Sequence, residues 1–156
     1  MSGPSTSTGK TVFYIGATGY IGGTVLQHLL CSNPPSRITA LIRDPHKAEL
    51  LKKLKVPSGV TIDSLIGSLG DCDKLTRAAE EHDVVFSMAD CDDLPAMKAV
   101  LGGMKRRKAK TGEVPLLIHT SGTGVLVDDA RGMYAGETVS LAQYSADQDD
   151  LYRLRA

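Results

Sequence analysis

Residues 12–23 read VFYIGATGYIGG, and this stretch decides the fold of the 156-residue chain. An apolar run of strand-forming residues leads into three glycines, Gly16, Gly19 and Gly22. A helical pattern follows, with apolar residues recurring on one face: Ile21, Val25, Leu26, Leu29 and Leu30. The stretch therefore predicts a buried strand, a tight glycine turn and an amphipathic helix.

Each of the three glycines has a physical reason to be there. Gly16 lets the chain turn sharply at the end of the strand, Gly19 lets a diphosphate approach the backbone, and Gly22 lets the helix pack closely on the sheet. The helix N-terminus then offers free N–H groups and the positive end of its dipole to an anion. A plain glycine turn without a ligand is the alternative. The cofactor contacts predicted in this loop are Gly16, Thr18 through its hydroxyl, Gly19, Tyr20 and Ile21 through backbone N–H groups, and Gly22.

The G-x-x-G-x-x-G spacing at residues 16–22 resembles the cofactor motif of the extended and atypical short-chain dehydrogenases. That group includes the NmrA-like proteins and the NAD-dependent epimerase/dehydratase relatives. The resemblance runs from about residue 11 to about residue 127, and it implies an NAD(P)-binding Rossmann domain over 11–127. Since such proteins are about twice as long, it also implies that this chain corresponds to their N-terminal half, with a truncated gene product and a small cofactor-binding protein in its own right as the alternatives.

Composition limits the remaining classes of function. The formal net charge is 0, which gives no argument for binding nucleic acid or a membrane, and no apolar run reaches transmembrane length. Residues 1–10 are rich in Ser, Thr and Gly, and we expect a disordered lead without a signal peptide. The three cysteines are widely spaced, which predicts reduced thiols in a cytoplasmic protein. The four histidines show no metal-ligand spacing, so no metal is expected.

Strand and helix patterns alternate along the chain. Further strands are predicted at 37–42, 60–66, 83–89 and 114–120, and helices at 45–55, 72–81 and 93–109. This alternation predicts an α/β fold, a doubly wound parallel sheet (Rossmann) with strand order 3-2-1-4-5 and helices on both faces. The ligand is expected outside the carboxyl ends of strands one and four.

The helices carry their own expectations of capping and burial. Asp44 is predicted to cap the second helix, and Asp71 is predicted to cap the third. Leu54 is expected to face inward from the second helix. The core stripe of the fourth helix is predicted to be Leu94, Met97, Val100, Leu101 and Met104.

The end of the second strand bears on the choice of cofactor. An NAD site would place an acidic residue there to accept from the ribose hydroxyls, but the residue is Arg43. An arginine fork suits a phosphate, so NADP is favoured over NAD. Lys47 is predicted to reach the same 2′-phosphate, with a solvated helix charge as the equal alternative.

The later strand ends supply the remaining candidate site residues. Ser68 stands where the resemblance implies an Asp near the adenine, so that contact is weakened or replaced. Ala89 is expected to line the cofactor's ribose or nicotinamide, and Thr120 stands at the end of the fifth strand. The resemblance implies that Ser121 hydrogen-bonds a substrate carbonyl, with a plain strand-end turn as the alternative.

Two charged groups have more ordinary explanations. Asp90, Asp92 and Asp93 stand close together, and helix capping is favoured there over a metal site. The basic cluster at 105–110 complements the dipole at the end of the fourth helix, so nucleic acid is not expected as a partner.

The resemblance fails for the catalytic pair Tyr-x-x-x-Lys, in which the Tyr acts as acid and base. The tyrosines after Ser121 are Tyr134, Tyr144 and Tyr152, and no lysine follows Lys110. Residues 128–156 form a polar, acidic tail with room for one short helix near 147–154. A sheet that stops after strand five exposes an edge, which favours a homodimer or a protein partner.

Three hypotheses of function remain open. The first is an NADP(H)-binding oxidoreductase of the short-chain type acting on a small carbonyl substrate. The second is a non-catalytic, NmrA-like dinucleotide sensor or regulatory protein, which the missing Tyr–Lys pair favours. The third is a remnant of a nucleotide-sugar epimerase or dehydratase, which Arg43 weakens because those enzymes prefer NAD.

Overall fold

The computed structural model describes residues 9–122, in which strands and helices alternate without exception. The strands are β1 (Thr11–Ile15), β2 (Arg37–Ile42), β3 (Thr61–Ile66), β4 (Val84–Ser87) and β5 (Leu116–His119). The helices are α1 (Tyr20–Ser32), α2 (Pro45–Lys52), α3 (Cys72–Glu81) and α4 (Leu94–Thr111). The predicted acidic tail and most of the predicted N-terminal lead lie outside the described residues.

The five strands form one parallel sheet in the order β3-β2-β1-β4-β5, so the predicted fold is confirmed. β1 is central because its side chains are apolar on both faces, as a parallel strand covered by helices requires. Its middle residue, Phe13, pairs with Thr39 of β2 on one side and with Val85 of β4 on the other.

Alternate residues of β1 enter opposite hydrophobic layers. Tyr14 packs in the layer made with α1 and α2, whereas Phe13 packs in the layer made with α3 and α4. Buried helix residues of the first layer are Leu26, Leu30, Ala48 and Leu51. Those of the second layer are Leu75, Ala78, Ala79, Ala96, Val100 and Met104. The predicted helices on both faces are therefore confirmed.

The packing faces of α1 and α2 differ from the prediction. Ile21 is 52% exposed, because α1 turns Gly22 towards the sheet instead, with Leu26 and Leu30 on the same stripe. α2 ends at Lys52, short of the predicted residue 55. Leu54 therefore lies outside the helix and is 46% exposed, so its predicted inward position is wrong.

α4 packs through small residues where large ones were predicted. Leu94 is 58% exposed and Leu101 is 42% exposed, while Val100 and Met104 are buried as expected. The buried stripe includes Ala96 and Gly103, because small side chains let α4 lie close against α3.

Two of the predicted helix N-caps are correct and one is wrong. Asp44 Oδ1 accepts from the backbone N–H of His46 at 2.8 Å, and Asp93 Oδ1 accepts from Ala96 N at 3.0 Å. Asp71 makes no side-chain cap, because its carboxylate accepts hydrogen bonds from the Ser68 N–H and hydroxyl instead. The three cysteines are free thiols, as predicted.

A half-buried ion pair fastens the amino end of the sheet. Asp83, just before β4, accepts from Thr11 N at 2.7 Å and Thr11 Oγ1 at 2.8 Å, and it also accepts from Arg107 of α4. Burial opposes the charged form, but the hydrogen bonds from Thr11 and Arg107 outweigh it and hold the pKa of Asp83 below its usual value. One member of the basic cluster therefore has a structural role.

Asp83→Asn is expected to lower the free energy of unfolding by about 2 kcal/mol at neutral pH, because it weakens charge-assisted bonds in a half-buried place. Since the folded pKa is depressed, the contribution of Asp83 is complete above the unfolded pKa of about 3.9 and is lost as pH falls through the folded value. Urea titrations at several acidic pH values measure this, and the variant should lose less stability than the wild type on acidification.

Asp63→Asn is the matched control for Asp83→Asn. Asp63 pairs with Arg37 at 2.9 Å, but both side chains are about half exposed, and such pairs contribute little. Equal losses of stability in the two variants would contradict the role assigned to Asp83.

None of the helices in the described part of the chain is long and apolar enough to cross a membrane.

Candidate functional site

A cleft of about 680 Å³ lies over the carboxyl ends of β1, β2, β3 and β4. This edge is where the strand order reverses between β1 and β4, the position at which open α/β sheets bind ligands. The cleft volume falls within the range of small-molecule sites. The residues that line it are Ile15, Gly16, Thr18, Gly19, Leu41, Arg43, Lys47, Ser68, Leu69, Gly70, Met88, Ala89, Asp90 and Asp93.

The glycine loop, residues 16–22, forms the floor of this cleft. Gly16 has a φ of +88°, and a Cβ there would lie 2.7 Å from the carbonyl carbon of Met88. Gly19 N donates to Gly16 O at 3.0 Å, which closes the turn. Gly22 is buried, and a Cβ on it would lie 2.0 Å from Gly16 O. The first and third glycines are thus required by the backbone itself.

Tyr14 supports the glycine loop from below and was not predicted to do so. Its hydroxyl donates to the Gly22 carbonyl at 2.8 Å, and its ring stacks on Phe86 with centroids 5.1 Å apart. Burial raises the pKa of Tyr14 to about 12, so the hydroxyl keeps its proton as a donor. Tyr14 stands two residues before Gly16 in an apolar strand, and nothing in that sequence pattern indicates such a hydrogen bond.

The N-terminus of α1 is open to an anion. Gly19 is the N-cap residue and makes no side-chain cap, and the first turn contains no acidic residue. The first N–H groups of a helix have no partner within it, so a diphosphate fits here by both charge and hydrogen bonding. Tyr20, 95% exposed, and Ile21 begin this turn, and the contacts predicted for their backbone N–H groups stay predictions.

Two cations stand at the β2 end of the cleft. Arg43 follows β2, Lys47 lies in α2, and both are exposed on the cleft wall. Neither side chain makes a hydrogen bond or an ion pair with any residue in the described range. The neighbouring carboxylate, Asp44, is occupied by the cap of α2. Within residues 9–122, the side chains of Arg43 and Lys47 at this end of the cleft therefore have no carboxylate partner.

The loop after β3 is held by an internal hydrogen-bond network. Asp71 Oδ2 accepts from Ser68 N at 2.7 Å and from Ser68 Oγ at 3.0 Å. These two hydrogen bonds hold the pKa of Asp71 below its usual value. Ser68 thus lines the cleft in an orientation fixed by a carboxylate three residues away, and its contact with a cofactor stays a prediction.

The far end of the cleft is formed by the segment after β4. Ala89 lines it together with Met88 and the carboxylate-bearing Asp90 and Asp93, and its predicted contact with the ribose or nicotinamide stays a prediction. Thr120 lies behind this wall, with its hydroxyl donating to the Met88 thioether sulfur at 2.6 Å. Neither Thr120 nor the exposed Ser121 is among the cleft-lining residues, so their proposed cofactor and substrate contacts stay predictions.

Sequence reasoning missed several residues of the cleft wall. Ile15 and Leu41 are strand-end residues whose position was predicted but whose exposure to the cleft was not. Leu69 and Gly70 belong to the loop after β3, whose shape depends on Asp71. A strand-end rule would have found the first two, but no residue pattern gives the second two.

The acidic group at the cleft mouth has two local functions. Asp93 caps α4, and Asp90 Oδ1 accepts from Asp92 N at 2.9 Å within a turn. Ligand atoms of Asp90, Cys91 and Asp92 lie within 4.8 Å of one another, an arrangement common among exposed acidic groups.

Comparison with known proteins gives a family match and several relatives. The profile of a family described as NAD(P)H-binding matches residues 16–153. The oxidase ucsJ of Acremonium sp is 36% identical over 120 residues, which cover 77% of this chain and 33% of that protein. The chain thus spans about a third of the length of this curated relative.

Two solved structures share the fold. Pen from Bacillus thuringiensis superposes with a TM-score of 0.52 at 24% identity, over 64% of this chain and 35% of its own. A short-chain dehydrogenase/reductase from Veillonella parvula, solved with NADP, gives a TM-score of 0.52 at 20% identity, over 85% of this chain and 58% of its own. At these identities the likeness establishes the fold.

Proposed function

The chain belongs to the NAD(P)H-binding family, and on that premise we propose that it binds NADP(H) as the cofactor part of an oxidoreductase. The name of the relative ucsJ, an oxidase, supports the class of chemistry. The relative is about three times longer, so the activity of a complete protein and its small carbonyl substrate belong to the proposal.

The observation that carries the choice of NADP is the unpaired positive charge at the β2 end of the cleft. In an NAD site a carboxylate at this position accepts from both ribose hydroxyls. Here Asp44 is occupied by the N–H of His46, while Arg43 and Lys47 face the cleft without a protein partner in the described range. Two cations without a carboxylate favour a 2′-phosphate over a free hydroxyl.

Residues at different strand ends would bind different parts of the cofactor. The glycine loop and the N-terminus of α1 would hold the diphosphate, and Arg43 and Lys47 the 2′-phosphate. Ala89 would border the ribose or nicotinamide. When bound, the nicotinamide supplies hydride transfer, while the chain's own groups bind and orient it.

Arg43→Ala is expected to weaken NADP binding about tenfold to a hundredfold, because it removes a charge-assisted contact to the 2′-phosphate. Its effect on NAD should be small, since NAD has no phosphate there. Isothermal titration calorimetry with NADP, NADPH and NAD measures both effects on the same preparation.

The matched control for Arg43→Ala is Arg77→Ala, which removes the same side chain from an exposed position on α3 outside the cleft. It should leave the affinities for NADP and NAD as in the wild type. If Arg43→Ala leaves the ratio of NADP to NAD affinity unchanged, the assignment of NADP is wrong.

A second candidate function is a non-catalytic, NmrA-like dinucleotide sensor that acts through a protein partner. It is supported by one sequence feature: residues 122–156 contain no Tyr-x-x-x-Lys pair and no lysine. Ser121→Ala separates the two functions. In the oxidoreductase it lowers the rate of carbonyl reduction with bound NADPH, whereas a sensor shows no turnover in either form and binds its partner differently with NADP and NADPH.

A third candidate, a remnant of a nucleotide-sugar epimerase or dehydratase, requires tighter binding of NAD than of NADP. The same titrations decide it.

A further inference from the structure

A second cavity, the α1–α2 pocket, has a volume of about 740 Å³ and is lined by residues from 17–31 and from 47–55. Its volume falls within the range of small-molecule sites. Thr18 and Lys47 line both this pocket and the cleft. A ligand in the α1–α2 pocket would therefore share a wall with a ligand in the cleft.

The floor of the α1–α2 pocket is apolar. Leu26 and Leu30 of α1 and Leu51 of α2 are buried there. Leu50 and Leu54 lie at the rim, where they are 51% and 46% exposed. Burial of this apolar surface by a ligand is favourable, because it removes the surface from water. The pocket therefore suits a ligand with a hydrocarbon body.

The charged side chains that line the α1–α2 pocket are both cations, Lys47 and Lys55. None of the described residues that line it is an Asp or a Glu. Neither lysine side chain makes a hydrogen bond or an ion pair with another residue of the range 9–122. A negatively charged group on the ligand would therefore gain a partner without displacing one.

The helix dipoles favour the Lys47 end of the pocket over the Lys55 end. α1 begins at Tyr20, next to Thr18, and α2 begins at Pro45, next to Lys47, so the positive ends of both dipoles lie at this end. α2 ends at Lys52, before Lys55, so the carbonyl end of that helix lies there. An anionic group is thus favoured at Lys47, with the hydrocarbon body directed along the leucines.

We propose that the α1–α2 pocket binds a monocarboxylic acid with an unbranched alkyl chain, whose carboxylate pairs with Lys47. Because Lys47 also lines the cleft, this carboxylate competes with a 2′-phosphate for the same ammonium group. The alkyl acid then weakens the binding of NADP but not of NAD, and NADP weakens the binding of the acid by the same factor. This competition rests on the proposed function, whereas the binding of the acid does not.

Calorimetry with octanoate, nonanoate and decanoate on the whole chain, without a dinucleotide, tests the pocket by itself. Affinity should rise roughly twofold to fourfold with each added methylene group. Decanol has the same chain without the charge and should bind about tenfold more weakly than decanoate. Equal affinities for the three acids, or no binding of decanoate, would overturn the proposal.

Lys47→Gln removes the charge that holds the carboxylate. It should weaken decanoate binding about tenfold and leave decanol binding as in the wild type. Lys53→Gln is the matched control, since Lys53 is an exposed lysine of the same segment that does not line the pocket. Equal losses in the two variants would show that the general positive charge, and not Lys47, holds the acid.

Leu54→Asp places a negative charge at the rim and should lower decanoate affinity at least tenfold. Leu101→Asp is its control, because Leu101 is similarly exposed, at 42%, but lies on α4 outside the pocket. Sedimentation of the same variants tests the other occupant, a second copy of the chain. A dimer that Leu54→Asp dissociates and that decanoate leaves intact would assign the pocket to that copy and overturn the proposal.

Titrations of NADP and NAD with saturating decanoate test the competition for Lys47. Decanoate should weaken NADP binding about fivefold or more and leave NAD binding unchanged, and Lys47→Gln should abolish the difference. Equal weakening of both dinucleotides, or of neither, would overturn the shared use of Lys47. Failure to bind any dinucleotide would overturn the proposed function and leave the acid site standing, whereas NADP binding without decanoate binding would do the reverse.

Discussion

Gly22→Ala is expected to lower the free energy of unfolding by about 3 kcal/mol, the cost of inserting a methyl group into a closed contact. The new Cβ would lie 2.0 Å from Gly16 O and 2.8 Å from Gly16 C, both backbone atoms that no rotamer change can move. α1 must therefore shift away from the glycine loop. The shift also displaces the helix N-terminus from the cleft, so NADP affinity should fall together with stability.

Gly23→Ala is the control for Gly22→Ala, since it makes the same change one residue later. Its Cβ would meet only Ala17 O, at an ordinary 3.6 Å. Because alanine favours a helix interior over glycine by up to about 1 kcal/mol, this variant should be as stable as the wild type or more so. Urea unfolding and NADP titration of the two variants give opposite results if the contact at Gly22 is as close as described.

Gly103→Ala is expected to have a loss of stability of similar size, about 3 kcal/mol, without a direct effect on the cleft. The Cβ would lie 2.1 Å from Thr76 O and 2.8 Å from Ala79 Cβ, where α4 crosses α3. Both helices would have to separate, which also opens the layer around Val100. Thermal unfolding followed by circular dichroism measures the loss.

The neighbouring glycine again supplies the comparison. A Cβ on Gly102 would meet nothing within 4 Å, so Gly102→Ala should gain up to about 1 kcal/mol from helix propensity alone. Two destabilised variants, or two unchanged ones, would argue against close packing of α3 on α4 through Gly103.

The order of the sheet and the edge at which the cleft lies could be predicted from the sequence. Strand and helix patterns differ in period, and the right-handed crossover rule leaves few topologies for such an alternation. The family was recognised from the three glycines of residues 16–22, and the family match confirms it. The position of Arg43 followed because the end of β2 was placed at the correct residue, Ile42.

The packing stripe of each helix could not be predicted as well. Periodicity marks the apolar residues, but it does not show which of two adjacent stripes meets the sheet. In α1 and α4 the stripe with glycine or alanine is buried, because close backbone approach outweighs the area of Ile21 or Leu101. Small residues carry little hydrophobic signal, so the prediction chose the larger neighbours.

The cap predicted for Asp71, in the loop after β3, was wrong for another reason. An Asp before a helix is expected to accept from the N–H groups of the first turn, and Asp44 and Asp93 do so. Asp71 has a competing pair of donors in the preceding turn, both from Ser68. A single sequence does not rank such local competitors, and the chemistry of this cleft wall became visible only with the structure.

The close contact between Gly16 O and Gly22 has an evolutionary consequence. A homologue that no longer binds a cofactor would still need Gly22 in order to fold, so we expect Gly22 to be retained. Arg43, which no neighbour in the described region holds, would be lost early. Glycines that a diverged homologue retains therefore indicate only that it has inherited the fold. A cation retained after β2 is the better indication that the homologue still binds the cofactor.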